Sequence, residues 1–338
     1  MKNIELIGEI GTNHNGDFNT AIQLIDMAYA AGLDTVKFQI YDAEDIVSPL
    51  VKSELYGIKD KNLLWKDYIN EKLITPKTWL PELVSYAKEL NMGVLATPHS
   101  LKNAEICLNA GIERLKIASM DCNYYPFIKE LANLQVPLLL STGMATQIEI
   151  MKTVEIIKSK SVHLSLFHCT ATYPTKYEEA NLNFLNFLKN LKPDSLGLSD
   201  HSTNDDLIIM SVIYGVDIIE KHITLDNKQH GPDHSFALAF DACKSWKIAV
   251  ENALKSMGEY DKKMSERELR NRIAYRRVPI LIKDKQAGDK LEPDDFVFAR
   301  PPKLDGDFVT PDNYELFIGL KLSKSIQKGN ALEVNYFK

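Results

Sequence analysis

Two histidines, His201 and His222, stand at the ends of consecutive strand-like runs, Ser195–Ser199 and Val216–His222. Neighbouring strands in a barrel would aim both imidazoles at one point. With waters and a substrate oxygen they could hold a divalent cation such as Mn²⁺ or Mg²⁺, leaving positions open for chemistry. The alternative is a pair of hydrogen-bonded structural histidines; no cysteine lies at ligand spacing for a zinc centre. A second group joins Lys37 and Lys116 to the hydroxyls of Thr97, Ser119, Ser141 and Ser199. Lysines inside strand runs fit poorly on an outer surface covered by helices. Turned inward at a barrel mouth they neutralise an anion, and hydroxyls add directional hydrogen bonds to phosphate oxygens. Otherwise each lysine snorkels to solvent and each hydroxyl caps the next helix. The third group is the carboxylates Glu9, Asp121, Glu220 and Asp233. Glu9 interrupts an apolar run, where a carboxylate must pair or do chemistry, either orienting a sugar hydroxyl or carrying protons. An ion pair between Glu9 and Lys37 across adjacent strands is compatible with either task.

These residues need elements to position them. Short apolar runs at Ile4–Gly11, Thr35–Gln39, Gly93–Thr97, Arg114–Ala118, Pro137–Ser141 and His163–His168 join the two already named as strand candidates. Between them lie amphipathic segments such as Thr20–Ala31, Trp79–Leu90, Lys102–Ala110, Ile148–Lys158 and Asp205–Tyr214. Eight repeated βα units predict an α/β protein with a closed (β/α)8 TIM barrel, over residues 1–262. An open doubly wound sheet is the rival, but no GxGxxG follows the first strand. In a barrel all eight polar strand ends converge on one face, where active sites sit. After Asp241–Met257 a charged stretch, residues 263–277, reads as a linker or an exposed helix. Short strands and Gly-bearing turns over 278–338 then predict a small β-rich domain.

The chain has 338 residues, 45% of them hydrophobic and 25% charged, a composition that excludes a disordered chain. A net charge of -6 without any Lys/Arg-rich run argues against nucleic acid or an anionic membrane as partner. The four scattered cysteines form no CxxC pair and read as reduced thiols. The run Ile4–Ile10 is too short and polar for a signal-peptide core, and no stretch is long enough to span a bilayer. The expectation is a soluble, cytoplasmic protein.

The residues also fall into phrases. GEIGTNHNGD (8–17), VKFQ (36–39), KIASMD (116–121), LLLSTGM (138–144), HCTATYPT (168–175), GLSDHS (197–202), IEKHIT (219–224) and HGPDHS (230–235) occur in order. Together they resemble the sialic acid (nonulosonic acid) synthase family. The tail, with KQAGDKL (285–291), FARPP (298–302) and SIQKGN (325–330), is similar to that family's antifreeze-like (SAF) domain. The resemblance implies condensation of phosphoenolpyruvate with an N-acylated mannosamine-like sugar, giving a sialic-acid-type product and phosphate. It implies His201 and His222 as metal ligands. Lys37, Thr97, Lys116, Ser119, Ser141 and Ser199 would bind phosphoenolpyruvate, and Glu9, Glu220 and Lys116 would act at the reacting centre. Asp121, Tyr173 and Asp233 would face the sugar. Arg300 would reach the barrel of a partner subunit in a domain-swapped homodimer. Two departures, Ala171 in place of a frequent asparagine and Ser119-Met120-Asp121 in place of Ser-Gly-Glu or Ser-Gly-Asp, leave the acceptor open among neuraminate, legionaminate and pseudaminate types. The rivals are a metal-free Schiff-base aldolase using Lys37 or Lys116, a synthase for another aldose, and an inactive sugar-binding or scaffold protein.

Overall fold

A computed structural model describes residues 3–52 and 64–337. The chain divides into two compact units, Met1–Gly258 and Glu259–Lys338. In the first, eight parallel strands close a barrel in sequence order: β1 Glu5–Gly11, β2 Thr35–Ile40, β3 Gly93–Pro98, β4 Leu115–Ile117, β5 Leu138–Ser141, β6 Leu164–Cys169, β7 Ser195–Asp200 and β8 Ile218–His222. Each strand coincides with a predicted run to within two residues at either end. The (β/α)8 barrel expected from the sequence is therefore the fold.

The strands are buried on both faces, which is why they read as short, nearly continuous apolar runs. Outward residues such as Leu6, Val36, Val94 and Leu164 pack under a ring of amphipathic helices that includes Phe18–Ala31, Leu80–Glu89 and Phe240–Met257. Trp246 is fully enclosed in this layer. Local chemistry sets the helix ends. Asp17 accepts from the Thr20 amide at 2.6 Å to start the first helix, and Gly32 ends it at φ 78°. Thr146 and Glu149 form a reciprocal capping box on Gln147–Lys158.

At the lower rim, Asp34, Asp194 and Asp217 each take an amide of the preceding strand: those of Leu6 at 2.8 Å, Leu164 at 2.8 Å and Leu196 at 2.9 Å. The same device at three strand starts fixes register below the site. Between β2 and Leu80 the described residues form short turns of helix, including Ala43–Ile46, Trp65–Tyr68 and Ile69–Leu73.

The second unit opens with the helix Glu266–Tyr275, begun by Ser265, whose hydroxyl accepts from the Glu268 amide at 3.1 Å. This helix occupies the charged stretch expected as linker or exposed helix. Two antiparallel strands follow, β9 Val278–Leu281 and β10 Phe296–Ala299, over a small core of Leu281, Leu291, Phe296, Val309, Leu322, Ile326 and Leu332.

Candidate functional site

Alternate residues of each barrel strand point inward. Ile7, Leu95, Leu139, Phe167 and Ile218 form an apolar plug in mid-barrel. Two residues further along each strand the chemistry changes abruptly. Glu9, Lys37, Thr97, Lys116, Ser141, Ser199 and Glu220 all line one cavity of about 320 Å³. The apolar plug closes its floor and the strand ends open its mouth, so the spacing of two that builds the barrel also builds the site.

The layer is a knot of opposite charges. Lys37 Nζ lies 2.9 Å from Glu9 Oε2 and 3.5 Å from Glu220 Oε1. Lys116 Nζ donates to Glu220 Oε1 at 2.7 Å and to Ser199 Oγ at 2.8 Å, and sits 4.7 Å above the centre of the Phe167 ring. Lys37 also donates to Thr97 Oγ1 at 3.3 Å, and Gln39 Nε2 donates to Glu9 Oε1 at 2.7 Å. All four charged side chains are at most 6% exposed. Burial would lift the Glu220 pKa, but Lys116 and Lys37 overcome it and hold the carboxyl below its usual range. Burial likewise opposes the charge on Lys37, yet Glu220 and Glu9 raise its pKa. For Lys116 burial prevails, helped by repulsion from Lys37, and its pKa falls. The two lysines thus differ: one is a fixed cation, the other the readier proton donor. Glu220 Oε2 has no hydrogen-bond partner among the described residues.

Glycine makes this packing possible at one point. Register between β1 and β2 slips between Glu9 and Gly11, where the backbone turns to φ 50°. A Cβ on Gly11 would lie 2.7 Å from Glu9 Oε1 and 3.0 Å from Gln39 Nε2. Only glycine leaves the carboxylate in place.

Across the cavity stand the two imidazoles, with ring centres 5.4 Å apart and planes at 61°. His201 Nδ1 faces the Thr170 carbonyl at 2.9 Å, and His222 Nδ1 lies 3.3 Å from Asp233 Oδ2 without meeting hydrogen-bond geometry. In each ring an oxygen claims the Nδ1 side, which leaves Nε2 for another partner. Burial, then the neighbouring His222, depresses the His201 pKa to about 3, so that ring is neutral. Burial opposes charge on His222 as well, but the Asp233 carboxylate overcomes it and raises that pKa, so His201 is the ring held neutral. Imidazoles oriented through Nδ1 suit a divalent cation. Among the described residues no third His, Cys, Asp or Glu completes a ligand cluster, so remaining positions would fall to water or substrate.

Asp200 and Lys221, the neighbours of these histidines, point the other way. Lys221 Nζ reaches Asp200 Oδ2 at 2.7 Å and the Ser202 carbonyl at 2.8 Å, with both side chains essentially unexposed. Since Asp200 and Lys221 are register partners of β7 and β8, this pair rivets the two strand ends that carry the imidazoles.

The other expected residues separate. Tyr173 and Asp233 line the cavity, with the Tyr173 ring centre 4.2 Å from that of His201. Ser119 also lines it, but its Oγ accepts from the Gly143 amide at 3.0 Å and ties two loops together. Asp121 is off the cavity wall and bonded to His99 at 2.7 Å. Arg300 lies in the second unit, with its guanidinium 4.9 Å from the Tyr275 ring centre. His14 and His168 are held by Thr75 at 2.9 Å and by the Ala180 carbonyl at 2.6 Å, and line no part of the cavity. His99, at a polar strand end, and Met120, in the Ser119-Met120-Asp121 departure, also line it, whereas Tyr41, Met144 and an apolar wall of Ile46, Trp65, Ile69 and Leu73 escaped the sequence reading. That wall comes from the short helical turns after β2, where no periodic pattern announces an element.

Residues 24–262 match the NeuB family. The chain belongs to that family. It is 31% identical over 339 residues to the N,N'-diacetyllegionaminic acid synthase of Campylobacter jejuni, covering 98% of this chain and 99% of that one. It is also 31% identical over 341 residues to the pseudaminic acid synthase of the same organism, covering 100% and 97%. Among solved structures it resembles an N-acetylneuraminic acid synthetase from Leptospira borgpetersenii, with a TM-score of 0.69 and 28% identity over 80% of this chain and 90% of that one. This NeuB family member is accordingly a sialic- or nonulosonic-acid synthase type of enzyme. No helix among its described residues is long and apolar enough to cross a membrane.

Proposed function

We propose that this enzyme condenses phosphoenolpyruvate with an N-acylated mannosamine-like aldose, forming a nonulosonic acid and inorganic phosphate. The observation that carries the proposal is one cavity holding two buried lysines and four hydroxyls opposite two oriented imidazoles. Phosphoenolpyruvate needs the former for its phosphate and carboxylate, and the aldehyde needs an electrophile. His201 and His222 would hold a divalent cation, Mn²⁺ or Mg²⁺, which when bound supplies Lewis acidity at the aldehyde oxygen.

The rest of the chemistry belongs to the chain. Lys37, Thr97, Lys116, Ser119, Ser141 and Ser199 fix the anion so that C3 of phosphoenolpyruvate faces the aldehyde carbon. The C2=C3 π pair forms a C–C bond there as the aldehyde π pair moves onto its oxygen, which takes up a proton and becomes a hydroxyl, leaving C2 electron-poor. Water adds at C2 and gives up a proton to Glu9 or Glu220, both at the cavity floor. The new C2 hydroxyl then gives up its proton and becomes the C2 carbonyl as the bond from C2 to the phosphate oxygen breaks and phosphate departs. Lys116, with its lowered pKa, is the group suited to protonate that leaving oxygen. Tyr173 and Asp233 face the sugar. The apolar wall of Ile46, Trp65, Ile69 and Leu73 favours acceptors bearing methyl and acyl groups over phosphorylated ones.

The setting is part of the proposal. Four free, buried thiols suit a reducing cytoplasm. Arg300 would be supplied by the tail of a second subunit in a swapped homodimer. Mixing Arg300→Ala with Lys37→Met subunits should then restore part of the activity that each lacks alone. No restoration counts against the exchange.

The decisive experiment measures phosphate release with Mn²⁺ over N-acetylmannosamine and 2,4-diacetamido-2,4,6-trideoxyhexoses. Release with one sugar, abolished by a chelator, establishes the reaction and its acceptor together. Release that survives chelation, with borohydride trapping of a lysine, would instead mark a Schiff-base aldolase. Silence from a folded, metal-loaded protein would favour a binding role.

A further inference from the structure

Asp121, expected to face the sugar, does not line the cavity. Its buried side chain is bonded through the carboxylate to His99 Nδ1 at 2.7 Å. His99 follows β3 and Asp121 closes the short turn Ser119–Asp121 after β4, so the contact joins the loops of neighbouring strands. The imidazole itself belongs to the cavity wall, edge-on to Tyr41 with ring centres 5.5 Å apart. An Asp carboxylate can only accept, so Nδ1 carries the proton that faces it, and an imidazole with a single ring proton then has its lone pair on Nε2. That nitrogen has no hydrogen-bond partner among the described residues. The result is an unpartnered ring nitrogen of a buried side chain on the wall of a substrate cavity, with its ring plane fixed from behind.

We infer that His99 is an acceptor-recognition residue, its Nε2 taking a hydrogen bond from a hydroxyl or amide N–H of the aldose, with Asp121 as its positioning residue. The inference rests on the reaction proposed above. A donor on the sugar is selected because Nε2 can only accept in this tautomer, and an acceptor lacking that donor leaves the nitrogen buried and unpaired. The methylene by which Asp121 is shorter than glutamate matters here. The carboxylate stops at the imidazole, and the ring carries the polar contact onward to the cavity.

Two substitutions separate recognition from mere support. His99→Asn places its amide where Nδ1 stood, keeping the bond to Asp121 while deleting Nε2. His99→Gln places its amide near Nε2 instead. With the sugar that gives phosphate release in the wild type, His99→Asn should raise the acceptor KM at least tenfold. The KM for phosphoenolpyruvate and the melting temperature should not change, and His99→Gln should recover most of the loss. An acceptor KM within threefold of wild type in His99→Asn overturns the inference. So does an equal rise in both KM values, or a glutamine variant no better than asparagine. Wild-type protein gives a check independent of folding in the variants. In metal-free, phosphoenolpyruvate-loaded enzyme, adding the sugar should move the ¹⁵N resonance of His99 Nε2, and an unmoved resonance overturns the assignment. If wild type releases phosphate with no sugar, the proposed reaction fails and this inference falls with it. If wild type turns over while His99→Asn is silent on acceptor KM, only the inference falls.

Discussion

Charged residues inside apolar strand runs carry positional information, because a lysine between Val36 and Phe38 cannot point at the helix layer without losing its hydration. That made the meeting of Glu9, Lys37, Lys116 and Glu220 legible before any coordinates. Their exact partners were less so. The Glu9–Lys37 pair followed from adjacent strands, but the double grip of Lys37 and Lys116 on Glu220 depends on barrel curvature, which a sequence does not display. The pairing of His99 with Asp121 lay further out of reach, since a loop-to-loop contact has no period to betray it. The charge balance of the layer yields a prediction. Two lysines face two carboxylates, so removing one negative charge leaves an excess cation for an anionic substrate. Glu220→Gln should therefore leave the phosphoenolpyruvate KM unchanged or lower, while kcat falls by about 10²-fold or more as a proton carrier is lost. Steady-state kinetics in both substrates would check this; a raised phosphoenolpyruvate KM with intact kcat would assign Glu220 to binding alone.

Elements with a strong period were found at nearly their full length, and those without one were not. The exception is the helix Tyr125–Asn133, which was not among the segments named although its buried Phe127, Ile128, Leu131 and Ala132 fall at helical spacing. Among the described residues, the helical turns between Ile40 and Leu80 are three to five residues each, too short to show a 3.6-residue repeat. Yet they supply the apolar wall of the cavity. Where elements are tied together, the ties are testable. Lys221 and Asp200 are buried register partners, and removing one leaves the other charge without compensation. Lys221→Met should destabilise the barrel by roughly 3–5 kcal/mol, and pairing it with Asp200→Leu should recover much of that loss. Urea denaturation of the single and double variants would check both statements. Gly11→Ala tests the bulge in β1. A left-handed backbone and a Cβ 2.7 Å from Glu9 Oε1 should displace the carboxylate, lowering kcat with a stability loss of about 1 kcal/mol. Unchanged kcat would mean that Glu9 tolerates the shift.

At the scale of the molecule, composition and the change of pattern near residue 278 announced two bodies, and the chain divides at Gly258. The barrel is large enough to be held by its own core. The second unit has only a small one, so single polar interactions weigh more heavily there. Asp295 is the clearest case. Its buried carboxylate has Lys283 Nζ 2.6 Å from Oδ1 and Lys285 Nζ 2.6 Å from Oδ2, and it accepts from the Glu292 amide at 2.8 Å. Burial alone would raise its pKa from the ordinary 3.8, but these lysines and the amide overcome it and bring it to about 2. A carboxyl whose pKa is lower folded than unfolded stabilises the fold at pH above the unfolded value. The contribution is complete above about pH 4 and is lost as pH falls from there toward 2. Hydrogen exchange at the amides of β9, β10 and Ile282, which donates to the Asp295 carbonyl at 2.9 Å, should accelerate across that window in the intact protein. Asp295→Asn should exchange faster at neutral pH and show a flatter dependence on acid, because its partners are already lost. Identical acid profiles in the two proteins would mean that the lysines hold Asp295 without favouring the fold.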